Sequence, residues 1–332
     1  MPHPERWRFW FRWGLSLLLL AVSGVLAVRL VEWRAFLQAL QYAASERLWL
    51  LGPVIIAAHL LRAWRWQFLI EAALGRRPNL WHAFSAVMIG YAANMLVPRS
   101  GELIRPYVLS RREKMPLATL VSGVIVERLF DVLTLVFLLL LGLLIFAEKL
   151  FVVTGGGRSV GVSLGVGITV LGVLIVLLAS ARRWGGWILR YLRRWTPALA
   201  QRGERVIEQV QIGTHALKHP RLYAPMIGVT IAMWLLYWAP LYGLFWVFEL
   251  PLGPLEAFQV LLVSAVAITL APTPSAAGVY HITVQLALME LFAVPAEKAL
   301  AYATVAHGLN TLLMLLVGGI CWLWEQRALP QE

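Results

Sequence analysis

The sequence predicts an all-α polytopic membrane protein: six full transmembrane helices plus two re-entrant hairpins in an inverted repeat, all within one integral membrane domain, 1–332. Three observations carry this. Of 332 residues, 60% are hydrophobic and only 14% charged, where globular chains carry about a quarter charged. Six apolar runs, at 14–31, 48–70, 117–147, 159–180, 222–248 and 299–324, are long enough to cross a hydrocarbon slab of about 30 Å. Two more, 80–98 and 257–271, stop at proline–glycine or proline-rich breaks.

Taken in order, residues 1–13 interleave Arg6, Arg8 and Arg12 with Trp7, Trp10 and Trp13, a basic and aromatic anchor placed in the cytoplasm. No removable signal peptide is expected, because Arg29, Glu32 and Arg34 follow the first apolar run without a small-residue cleavage site. The second span carries His59, Arg62, Arg65 and Trp66 in its cytoplasmic third. His59, Arg62 and Trp66 share a face. Two readings stay open for Arg62 and Arg65: snorkelling to the headgroups, and substrate binding.

If residues 80–98 crossed the membrane, Arg99, Arg105, Arg111, Arg112 and Lys114 would lie outside, against the positive-inside rule. A re-entrant hairpin removes the conflict. The chain dips in, turns at Pro98–Gly101, and returns through 103–110, with Asn94, Arg99, Glu102 and Arg105 about the turn. Irregular backbone at membrane depth needs cover from protein or a wet cavity, so the tip is expected to line one. The third span then takes Glu127, Arg128 and Asp131 into its interior, and the first repeat core is 80–147. Glu127 lies about 15 Å along that helix, near mid-slab. Glu127 and Asp131 share a face, and Arg128 can pair with Asp131. The three charges cost about 8–10 kcal/mol to insert, which the span's apolar residues offset. Ionisable groups at that depth are usually functional; an ion cluster that only joins helices is the alternative.

The run Gly155-Gly156-Gly157 lacks the strand–helix context of a phosphate loop. Segment 181–221 is basic, with Trp184, Trp187, Tyr191 and Trp195 on one face, which predicts a helix in the cytoplasmic interface. The fifth span exits before Glu249. A second re-entrant hairpin, opening from outside and broken at Pro272 and Pro274, precedes the sixth span, and the second repeat core is 254–324. With both termini cytoplasmic, the inner loops hold most of the Lys and Arg. The halves share local order: Val126-Glu127-Arg128-Leu129-Phe130-Asp131 aligns with Val305-Ala306-His307-Gly308-Leu309-Asn310. Inverted repeats with interrupted helices near the midplane are the architecture of secondary transporters.

The segments Leu96-Val97-Pro98-Arg99-Ser100-Gly101-Glu102-Leu103-Ile104-Arg105 and 126–131 resemble the signature motifs of the lysylphosphatidylglycerol synthase transmembrane-region family of flippase-like proteins. The resemblance extends over most of the chain. It implies a lipid translocase of two inverted repeats with re-entrant helices, in some members fused to a soluble domain that aminoacylates phosphatidylglycerol. No such domain is expected within these 332 residues. Carried over by position, the matching residues are Asn94, Pro98, Gly101, Glu102, Arg105, Glu127, Arg128 and Asp131. The second half departs from the family pattern: His281 stands where the family has an acid and His307 where it has an arginine. That departure bears on which headgroup is handled.

The leading expectation is a translocase for a membrane phospholipid or lipid-linked substrate. Arg99, Arg105 and Arg128 would meet a phosphate, and Glu102, Glu127 and Asp131 would balance them. The outer hairpin offers only Thr269, Thr273, Ser275 and His281 to a shared midplane cavity, with Asn310 beyond His307 on the last span. The two histidines either titrate and couple transport to protons or make interhelical hydrogen bonds. A membrane-embedded headgroup transferase and a non-transporting assembly subunit are the alternatives. The net charge of +12 lies in short loops, which points to anionic lipid at the cytoplasmic face and excludes nucleic acid. The single cysteine, Cys321, excludes an internal disulfide or thiolate cluster. No metal or other cofactor is expected, and an oligomer is allowed.

Overall fold

The computed structural model describes Val25 and residues 31–43, 46–146, 223–271 and 273–328. Spans 14–31 (but for Val25 and Val31) and 159–180, the interfacial segment 181–221 and Pro272 lie outside the described residues. Nine α-helices occur among the described residues: α1 Trp33–Ala43, α2 Arg47–Leu74, α3 Leu80–Leu96, α4 Gly101–Glu113, α5 Leu117–Ile145, α6 Tyr223–Val247, α7 Pro254–Leu270, α8 Val279–Phe292 and α9 Ala296–Ala328. A 3-10 turn, Pro274–Ala276, sits between α7 and α8.

Four of these helices, α2, α5, α6 and α9, are long and apolar enough to cross a membrane. They fall where the sequence puts spans two, three, five and six. The most apolar is α5, with a mean hydropathy of 2.4 over its best window. Both α5 and α9 turn large apolar side chains away from the protein: Phe137, Leu144, Leu312, Leu316, Ile320 and Leu323 are all exposed. Such faces are stable against hydrocarbon rather than water. Proline lies inside α2, α4 and α6, at Pro53, Pro106 and Pro240, as membrane helices tolerate.

The chain divides into two compact units. The first comprises 1–64, 81–108 and 228–332. Its core gathers Phe36, Phe245, Phe248, Val260, Val284 and Tyr302. Tyr302 is fully buried between Phe245 and Phe248, and its hydroxyl donates to the Leu241 carbonyl at 2.7 Å, which removes the cost of burying a phenol. Helices α7, α8 and α9 pack in sequence, and α1 lies on α9. Local chemistry sets their ends. Pro254 opens α7, and the Glu256 carboxylate accepts the Gly253 N–H at 3.0 Å. Ala293 closes α8 in the left-handed region, with its N–H on the Met289 carbonyl at 3.0 Å, and Pro295 prevents continuation.

The second unit comprises 65–80 and 109–227. Trp66 is fully buried there. A Cβ at position 123 would stand 2.9 Å from its indole nitrogen, so Gly123 is what lets the ring lie against α5. The Glu113 carboxylate accepts from the Asn79 N–H at 3.1 Å and from Arg76 at 3.3 Å.

Candidate functional site: a buried ionic network and two broken helices

The ionic network lies in the second unit. From α2, Arg65 has no exposed side-chain surface, and its guanidinium donates to Asp131 and approaches Glu127 Oε1 at 3.6 Å. Glu127 is 1% exposed. Arg128 Nη1 reaches Asp131 Oδ2 at 3.4 Å, the pair that the three-residue spacing predicts. Buried charges of this kind persist only when paired. Arg62, one turn before Arg65 on the same helix, is likewise covered by protein and only 5% exposed.

In the first unit Arg62 donates through Nε to the Tyr237 hydroxyl at 3.2 Å and lies 5.9 Å from the Tyr91 ring centroid. His59 packs edge-on against Tyr91, centroids 4.5 Å apart. Tyr91 and Tyr237 are functional candidates that the sequence reading did not single out. Tyr91 stands alone among small and aliphatic neighbours, whereas Tyr237 lies among Trp234, Trp238 and Tyr242, where nothing sets it apart.

The first break spans Val97–Ser100, between α3 and α4. Arg99 occupies the left-handed region at φ 62° and is exposed; Pro98 precedes it, half-buried. The Asn94 side chain accepts the Gly101 N–H at 2.7 Å, so it caps the returning helix. The two arms meet backbone to backbone: a Cβ on Gly101 would strike the Gly90 carbonyl, and one on Gly90 would lie 3.0 Å from Arg105 Cβ. Arg105 is consequently 3% exposed, while Glu102 is half-buried. Asn94 and Gly101 therefore build the hairpin. Gly90, which the sequence reading passed over, is their partner.

The second break runs from Ala271 to Gly278. Thr273 is buried, and its hydroxyl donates to the Ala277 carbonyl at 3.0 Å. Ser275, Ala276 and Gly278 have φ of 56°, 58° and 77°, a bend that costs the two non-glycine residues about 1 kcal/mol or more each. His307 on α9 holds it, with Nε2 2.8 Å from the Ser275 carbonyl and 3.0 Å from its hydroxyl. Thr311, one turn on, lies 3.2 Å from the same hydroxyl. His281 takes the Gly278 N–H on Nδ1 at 3.3 Å. His307 thus makes the hydrogen bond between segments that the sequence allows, while His281 caps its own helix. Asn310 is half-buried further along α9.

The family model described as Lysylphosphatidylglycerol synthase TM region matches residues 12–318. This chain belongs to that family. As a member of the lysylphosphatidylglycerol synthase transmembrane-region family with four membrane-crossing helices among its described residues, it is a multi-pass membrane protein. It is 26% identical over 274 residues to a Haloferax volcanii protein named glycosyltransferase AglD, an alignment covering 74% of this chain and 44% of that protein. It is 36% identical over 94 residues to a UPF0104 membrane protein of Methanocaldococcus jannaschii, covering 27% of this chain and 26% of the relative. The chain thus aligns with less than half the length of either relative. No solved structure matches it.

Proposed function

We propose that this chain is a translocase that moves a lipid or lipid-linked headgroup across the membrane. The observation that carries this reading is the Arg65–Glu127–Asp131 network, ionisable groups exposed by 0%, 1% and 17% within helices apolar enough to span. A helix contact made only for stability is met at lower cost by apolar packing. Charges at such depth mark paths for polar cargo.

In this reading Arg99, Arg105 and Arg128 are each partners for a phosphate at some stage of its passage, and Glu102, Glu127 and Asp131 balance the arginines when cargo is absent. The two broken segments are re-entrant hairpins entering from opposite faces in an inverted repeat, with an anionic headgroup held in a midplane cavity between their tips. Helices α3 and α7, of 17 residues each, reach only about 26 Å, short of a full crossing of roughly 30 Å. Both termini face the cytoplasm, where anionic lipid meets the basic loops.

The name of the Haloferax volcanii relative, a glycosyltransferase, favours a second reading, a membrane-embedded headgroup or sugar transferase. Reconstitution into vesicles with defined fluorescent lipids separates the two. Transfer of intact lipid between leaflets supports the translocase, and a chemically altered headgroup supports the transferase. Neither outcome would leave a non-transporting subunit and end both proposals.

A further inference from the structure

Helix α1 keeps three kinds of side chain in separate sectors. At about 100° per residue, Phe36, Leu40 and Ala43 share one sector, Trp33 and Leu37 the next, and Gln41, Arg34 and Gln38 the one after. Each sector has its own surroundings. Phe36 and Ala43 are buried in the core of the first unit with Phe245, Phe248 and Leu300, and Leu40 packs against that core. Arg34, Gln38 and Gln41 are exposed. Between the two stand Trp33 and Leu37, apolar and each 52% exposed. The Phe36 ring meets Trp33 edge-on, centroids 5.5 Å apart, so the indole is held beside the core without being covered by it. A helix lying on a protein in water has no use for an apolar strip between its core face and its polar flank.

The level of α1 in the first unit is fixed at both ends. Just before it, the Glu32 N–H donates at 3.4 Å to Glu297 Oε1, in the first turn of α9. Just after it, only Ala44, Ser45 and Glu46 precede α2, a tether of about 14 Å at full extension. There α2 begins with Trp49 exposed, and α6 ends with Trp246 exposed. A Cβ on Gly243 would stand 2.7 Å from the Leu51 side chain, so the start of α2 lies against the end of α6. Exposed tryptophans at the ends of membrane-crossing helices mark the headgroup level. The Trp33–Leu37 strip lies beside that level and continues the hydrocarbon-facing surface of the long helices.

We propose that α1 is an interfacial helix whose partner is the phospholipid surface of the leaflet in which α2 and α9 begin. Trp33 and Leu37 enter the boundary between headgroups and acyl chains, while Arg34, Gln38 and Gln41 stay in water. Because Phe36 and Ala43 are locked into the core, this contact ties the first unit to the membrane surface without a further crossing. It does not depend on lipid being moved.

Spin labels test the contact. In the full chain carrying Cys321→Ser, single cysteines replace Trp33, Arg34, Leu37, Gln38 and Gln41 in turn, and each labelled protein is reconstituted in phosphatidylcholine vesicles. Oxygen concentrates in hydrocarbon, whereas a nickel chelate stays in water. The oxygen-to-nickel accessibility ratio should be several-fold higher at positions 33 and 37 than at 34, 38 and 41. Equal ratios at all five positions, or nickel contact at 33 and 37 as strong as at 38, overturn the proposal. Exclusion of both reagents from 33 and 37 also overturns it, since protein would then cover the strip; spin–spin broadening in that case identifies a second copy of this chain as the cover. If Trp33→Cys fails to accumulate because Phe36 loses its neighbour, the contrast between Leu37→Cys and Gln38→Cys decides alone.

Discussion

The segments 126–131 in α5 and 305–310 in α9 hold polar side chains inside apolar helices by opposite means. The first is ionic: Glu127 and Asp131 meet Arg65 from another helix, and Arg128 closes on Asp131 from within the same one. The second is neutral: His307 meets a serine carbonyl and hydroxyl, and no ion pair involves it among the described residues. An ion in a low-dielectric setting must bring a counter-charge of its own, so the first network needs a side chain from a separate element. A neutral imidazole needs only a complementary lone pair, which the backbone of a strained turn supplies. The two breaks follow suit. A side-chain cap and a glycine contact hold the first, while backbone bent into the left-handed region and clamped by a histidine makes the second.

The largest effect should fall on the ionic side. Glu127→Gln and Arg128→Ala should each abolish lipid transfer in reconstituted vesicles while the protein still inserts and unfolds cooperatively. If both variants instead fail to accumulate, the network is structural and carries no cargo. Next, Arg65→Met strands a buried carboxylate and should cost about 3–5 kcal/mol in thermal unfolding. His307→Leu should cost about 1–3 kcal/mol, since it leaves neutral groups unsatisfied. Equal losses in the two variants would erase the ionic–neutral distinction.

Gly101→Ala comes third. Its methyl group must displace the Gly90 carbonyl, and overpacking of this kind costs about 1–3 kcal/mol; proteolysis at the break is a convenient readout. A cross-link between cysteines at Ser100 and Ser275, in a functional background, tests whether the two tips meet. Its absence with every short cross-linker would remove the shared cavity. The smallest effect is expected at Ser275→Gly. Release of a left-handed serine gains about 1 kcal/mol, and loss of its hydroxyl contacts with His307 and Thr311 costs about as much. A change beyond about 1 kcal/mol in either direction would show that one of those terms is misjudged.

The helices that cross the membrane were readable because apolar length is written directly in sequence. The run 117–147 becomes Leu117–Ile145, and 222–248 becomes Tyr223–Val247. The run 299–324 begins earlier, at Ala296, because Pro295 rather than the first apolar residue starts the helix. Both breaks were readable from their prolines and glycines, and the Arg128–Asp131 pair from its spacing. Partners from distant segments were not. Arg65 looked like a companion of Arg62, three residues away, and nothing in its neighbourhood points to Glu127. Ser275 and His307 lie 32 residues apart, and their contact depends on a turn whose left-handed residues include serine and alanine. Nor does a lone Gly90 in an apolar run announce that another backbone rests on it.

The glycine contact at the first break has a mechanical consequence. With the Gly101 backbone seated against the Gly90 carbonyl and Asn94 latching the returning amide, the two arms have no slack between them. Sliding one arm by a single residue would drive a side chain into the opposite main chain. Near its tip, then, the first hairpin behaves as a stiff prong. Opening a route past it would require the prong to tilt as a whole, because its arms cannot part without breaking the latch.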